Sequence, residues 1–102
     1  MITLCIGLFG SKWWSFKNQY HRINGPAIVH HDGDQFWYMY GNLHRFNGPA
    51  VIYTDGHTEW YVNNQLHRTD GPAIVFSNNR VQYWIRDKQL TEYELMFVHS
   101  NS

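Results

Sequence analysis

Three His-Arg pairs, His21-Arg22, His44-Arg45 and His67-Arg68, stand at equal intervals of 23 residues. Arginine carries a planar fork of donors that matches phosphate or carboxylate. The series therefore reads chemically as a ladder able to clamp a small anion. The competing reading is structural. Each guanidinium would satisfy a turn carbonyl or a nearby carboxylate, with Asp32, Asp55 and Asp70 as candidates. Repetition favours the structural reading, because a residue present in every unit usually answers a need that every unit has.

Other chemistry is harder to build. Like positions in successive hairpins lie two strands apart, roughly 10 Å, whereas zinc ligands must each approach within about 2 Å of one ion. His21, His44 and His67 would have to bend sharply inward, and His30-His31, as strand neighbours, point to opposite faces. No metal and no other cofactor is expected. Catalysis lacks a constellation: there is no Gly-x-Ser-x-Gly, phosphate loop or dinucleotide fingerprint, and Glu59 has no equivalent in the other units. Short hairpins also supply few long loops from which to build a pocket. The single cysteine, Cys5, reads as a small apolar strand residue. The chain is expected not to be an enzyme.

The elements that would position these residues repeat in the same phase. Gly-Pro-Ala occurs at 25–27, 48–50 and 71–73, and Asp-Gly at 32–33 and 55–56 continues as Asn78-Asn79. Trp14, Trp37 and Trp60 continue as Tyr83, and Asn18, Gly41, Asn64 and Asp87 share a further turn position. Within one unit, Ala27–His31 is β-prone, Asp32-Gly33 is a tight-turn signal, Phe36–Tyr40 is a second β-prone run and Gly41-Asn42 a second turn. That makes two strands per unit and about eight in all. The apolar start, Met1 to Phe9, falls in phase as the first strand and lacks the basic leader of a signal peptide.

Strand alternation sorts the side chains. Trp14/Phe16, Trp37/Met39, Trp60/Val62 and Tyr83/Ile85 form an apolar row, the expected core face. The opposite face is mixed and carries Tyr38, Tyr61, Trp84 and Arg86. These four are the candidate partner-binding residues, since Tyr, Trp and Arg dominate interface hot spots. The bland alternative is a second buried face. Thr91-Glu92-Tyr93-Glu94 has a capping-box pattern and opens an expected helix over residues 91–99, with Tyr93, Met96 and Phe97 covering the end of the array.

The chain has 102 residues, one domain by length, with 8 basic and 8 acidic residues. A formal net charge of zero argues against general nucleic-acid binding, which needs clustered positive charge. Aromatic residues make up 18%, as suits pleated surfaces. One cysteine points to a reducing compartment, hence a cytoplasmic location, and no apolar stretch approaches the roughly 20 residues of a membrane span.

His-Arg-x-x-Gly-Pro-Ala, then Asp-Gly, then Trp-Tyr and a turn, resembles the MORN repeat family. It is more similar to a MORN-variant repeat of small bacteriophage and bacterial proteins, which often end in Leu-Thr-Glu-x-Glu, as Leu90-Thr91-Glu92-Tyr93-Glu94 does. The resemblance runs from about residue 10 to about residue 95. It departs from the usual pattern where Pro26-Ala27 and its equivalents replace a glycine-rich stretch, and where Leu90-Thr91 lacks His-Arg. The resemblance implies successive hairpins used for contact rather than catalysis. It also implies a phage accessory protein that binds and inhibits a bacterial host protein, including a defence protein, in the host cytoplasm.

The expected fold is all-β: an antiparallel meander of hairpin repeats at 3–22, 23–45, 46–68 and 69–90, with a short C-terminal capping helix. The first expected function is non-catalytic binding of a host protein. The second is a sponge for a small anionic nucleotide, held by Arg22, Arg45, Arg68 and their histidines His21, His44 and His67. A membrane-surface or scaffolding MORN module is a third. Open edge strands make a homodimer a further expectation.

Overall fold

The structure is a computed structural model and describes residues 1–91 and Glu94. Within residues 1–91 the chain is all-β apart from a 3-10 turn at Leu8–Gly10. The first hairpin is β1 (Thr3–Ile6) and β2 (Lys12–Phe16), followed by β3 (Gln19–Tyr20). Four short strands follow: β4 (Ile28–Val29), β5 (Gln35–Phe36), β6 (Tyr38–Met39) and β7 (Asn42–Leu43). The pattern returns in β8 (Val51–Ile52), β9 (Thr58–Glu59), β10 (Tyr61–Val62) and β11 (Gln65–Leu66). It returns once more in β12 (Ile74–Val75), β13 (Val81–Gln82), β14 (Trp84–Ile85) and β15 (Lys88–Gln89).

One antiparallel meander runs β1-β2-β4-β5-β8-β9-β12-β13, with β3 also paired to β2. The other six strands form the hairpins β6-β7, β10-β11 and β14-β15. The main path of the meander holds eight strands, the number expected, and the described residues carry seven further short strands that the expectation left out. The run Phe36–Tyr40 is not one strand. It breaks at Trp37, whose amide donates to the Ala50 carbonyl at 2.7 Å while its own carbonyl accepts from the His44 amide at 3.0 Å. Trp14 and Trp60 do the same with Ala27/His21 and Ala73/His67. The tryptophan line is therefore a seam: its donors face the meander and its acceptors face the hairpins. Neighbouring hairpins are joined in turn, through Arg45 N–H to the Tyr61 carbonyl and Arg68 N–H to the Trp84 carbonyl, both at 3.1 Å.

The second turn sits one residue earlier than expected, at Tyr40-Gly41, with Asn42 already in β7. Both central residues have positive φ there (49° and 82°), as they do in Lys17-Asn18, Asn63-Asn64 and Arg86-Asp87. This is the backbone twist that two-residue hairpin loops need. Arg86 is consequently a turn residue and not a member of the Trp84 strand row.

The core is thin. Ala27, Ala50 and Ala73 are fully buried and Val51 and Ile74 nearly so, and among the described residues no large side chain is wholly enclosed. The tryptophan row, expected as the core face, is only half-buried. Val51 and Ile74 lie instead on the opposite face, in one cross-strand register with Phe36, Glu59 and Gln82. The molecule measures 46 × 28 × 18 Å, so neither face has a thick layer over it.

Thr91 and Glu94 make the expected reciprocal bonds: the Glu94 amide donates to Thr91 Oγ1 at 3.1 Å and the Thr91 amide to Glu94 Oε1 at 3.3 Å. The rest of the expected helix, including Tyr93, Met96 and Phe97, lies outside the described residues.

Candidate functional site: the arginine seam and the aromatic face

Each guanidinium of the His-Arg pairs lies flat on the tryptophan of its own unit. The Arg Cζ to ring-centroid distances are 3.8 Å for Arg22 on Trp14, 3.7 Å for Arg45 on Trp37 and 3.8 Å for Arg68 on Trp60. The geometry combines cation–π attraction with stacking of two planar groups. Nη1 of each arginine donates to the proline carbonyl four residues on, at 3.3 Å to Pro26, 3.1 Å to Pro49 and 3.1 Å to Pro72. The glycine before each proline closes the other side. A Cβ at Gly25, Gly48 or Gly71 would stand 2.9, 2.6 or 2.8 Å from the guanidinium carbon. The arginine is thus sandwiched between indole and bare backbone, which explains the spacing Arg-x-x-Gly-Pro.

The histidines point along the array instead. Nδ1 of His21, His44 and His67 accepts the amide of Tyr40, Asn63 and Arg86 respectively, at 3.0, 3.1 and 3.0 Å. Each therefore satisfies a donor in the turn of the following hairpin, with its own ring proton on Nε2. His21 and His44 are buried. The six residues proposed for an anion are accordingly placed in three separate, like settings, each already occupied by bonds within the array. Asp70 does pair with an arginine, Arg68 Nε to Oδ1 at 2.8 Å, and that bond holds its carboxyl below the ordinary range. Asp32 and Asp55 do not partner arginines; their Oδ1 atoms accept the Asp34 and His57 amides in the first turns.

The opposite face is chemically different. Tyr38 lies 5.3 Å from Tyr20, ring to ring. The Tyr61 hydroxyl donates to Glu59 Oε1 at 2.9 Å, and Trp84 Nε1 donates to Gln82 Oε1 at 3.0 Å. All three rings are half-buried. Glu59 Oε2 meets His57 Nε2 at 2.7 Å, and the His57 ring lies 5.3 Å from both Tyr53 and Phe76. Phe36 packs edge-on against His30 and Tyr53. Burial, then Glu59, pushes the Tyr61 phenol far above its ordinary value; Tyr53 is raised by burial and by Glu59, Asp34 and Asp55. Tyr38 is raised as well, by burial first and then by Tyr20 and Tyr53.

Arg86 stands apart from the row it was grouped with: its side chain projects from the exposed turn after Trp84. The sequence reading missed the His57–Glu59–Tyr61 chain. Its signal was the lack of a Glu59 equivalent in any other unit, together with the period-two spacing that puts the three side chains on one face. Among the described residues no cluster of three or more His, Cys, Asp or Glu could hold a metal ion, and no helix is long and apolar enough to cross a membrane. No protein-family profile matches the chain, and no curated protein or solved structure matches it.

Proposed function

We propose that the chain is an array of MORN-variant-like hairpin units, 23 residues each, that binds a partner protein without catalysis through the face carrying Tyr38, Tyr61 and Trp84. One observation carries this reading. The residues that recur from unit to unit are consumed in like bonds inside the array, namely Arg on Trp, Arg to Pro carbonyl and His to the next turn. The opposite face is where the units differ, with Phe36, Glu59 and Gln82 at one position. Repeated residues build the platform, and unit-specific residues are free to specify what it holds. In the setting that the MORN-variant resemblance implies, the partner is a bacterial host protein and the consequence is steric occlusion. A nucleotide sponge would need guanidinium faces that tryptophan and glycine already cover.

Affinity capture from a bacterial lysate tests the reading, with wild type beside Tyr38→Ala/Tyr61→Ala/Trp84→Ala and circular dichroism to verify folding. The expected outcome is a specific partner held by wild type and lost by the folded triple variant. A folded triple variant that keeps the partner would overturn the assignment of the face.

A further inference from the structure

The partner's chemistry can be narrowed at Glu59, on the premise that the aromatic face is the binding surface. A carboxylate has about four acceptor positions. Glu59 uses one on each oxygen, for Tyr61 and for His57, so others stay open. Its side chain is 22% exposed, which leaves it reachable but poorly hydrated. Among the described residues it pairs with no lysine or arginine, and its ion-pair contact is His57. The rings of Tyr53 and Phe76 stand against His57, and the Tyr61 hydroxyl donates to Glu59 itself. Of the chain's own arginines, Arg22, Arg45 and Arg68 are on the seam, sandwiched between indole and glycine, whereas Arg80 and Arg86 are exposed. A net-neutral chain is thereby two-sided, with stacked cations on the seam and an aromatic carboxylate on the other face.

We infer that Glu59 is the anchor for an arginine side chain of the partner protein. A guanidinium meets a carboxylate through two parallel donors and stacks on tyrosine or phenylalanine at once. Glu59 and its flanking rings offer both contacts. A lysine would gain the charge attraction without the fork.

Capped hexa-arginine, hexa-lysine, hexa-citrulline and hexa-glutamate peptides, titrated into the full chain, test this. The readouts are the Trp84 indole N–H resonance and the dissociation constant. Hexa-arginine is expected to shift Trp84 and to bind at least tenfold more weakly to Glu59→Gln, which keeps an acceptor for Tyr61. Hexa-lysine is expected to bind more weakly than hexa-arginine, and hexa-citrulline and hexa-glutamate not at all. Equal hexa-arginine binding by wild type and a folded Glu59→Gln would overturn the inference, as would an unmoved Trp84 signal or equal binding of hexa-citrulline. Self-association abolished by Glu59→Gln would place the cation on a second copy and overturn it also. Loss of lysate partner in the aromatic triple variant alone, with Glu59→Gln unaffected, would leave the face standing and remove only the arginine.

Discussion

The seam and the aromatic face use the same residue types to opposite ends. On the seam, Arg45 lies on Trp37 with one donor on Pro49, and the arrangement recurs at Arg22 and Arg68 almost without change. On the aromatic face, Phe36, Glu59 and Gln82 take one position and make three different sets of contacts. A thin core explains the contrast. With only alanines, Val51 and Ile74 as buried hydrophobic residues among the described ones, the array relies on interlocks within and between units, and those must be alike wherever units stack. On the aromatic face neighbouring units also touch, as Phe36 does Tyr53 and His57 does Phe76, but through pairs that differ from one unit to the next.

The largest expected effect breaks the seam. Gly48→Ala puts a methyl 2.6 Å from Arg45 Cζ, so the guanidinium must shift from its place between Trp37 and the Pro49 carbonyl. We expect a loss of about 2 kcal/mol, read as a lower urea midpoint with an unchanged slope. If Gly48→Ala leaves the urea midpoint unmoved, the contrast between the two regions fails. Next, His44→Phe keeps a ring in a buried place but strands the Asn63 amide, at about 1–2 kcal/mol. Amide exchange at Asn63 should quicken more than at its neighbours.

The aromatic face should respond to alkali. Tyr61 has a raised phenol pKa in the folded chain, from burial and then Glu59, so the folded state holds that proton more tightly than the unfolded one. Its contribution is complete below about pH 10, the unfolded value, and is lost as pH rises above it. Glu59→Gln should flatten that alkaline loss, followed by phenolate absorbance and chemical unfolding together. The smallest effect concerns Arg86, held at φ 47° in an exposed turn. Arg86→Asn should stabilise by about 0.5–1 kcal/mol and leave partner capture intact, because the residue lies off the aromatic row.

Much of this was legible in the sequence. The Gly-Pro-Ala series and the Asp-Gly turns are local signals, and a signal repeated in one phase is readable without a structure. The sequence reading also grouped Tyr38, Tyr61 and Trp84 together, and each makes its contact on the face opposite the tryptophan seam. The break at Trp37 was not legible, because a two-residue strand leaves no alternation to read. Arg86 was misplaced for the same reason: Trp84 and Arg86 share a period of two, but the backbone turns at Arg86. The expected core face was inverted in part, since burial in a single curved layer depends on what lies across from each residue and not on its hydrophobicity alone.

By itself, then, the chain's order of residues determined the period, the positions of the turns to within a residue and the antiparallel β character, all of which follow from preferences of φ and of side chains near in sequence. Only the folded molecule decided what the recurring residues are for. Arg22 meets Trp14 on β2, and His21 meets an amide 19 residues away. Such contacts close only after the chain has returned on itself, and that return sets which charges are spent inside the array and which, like Glu59, remain for another molecule.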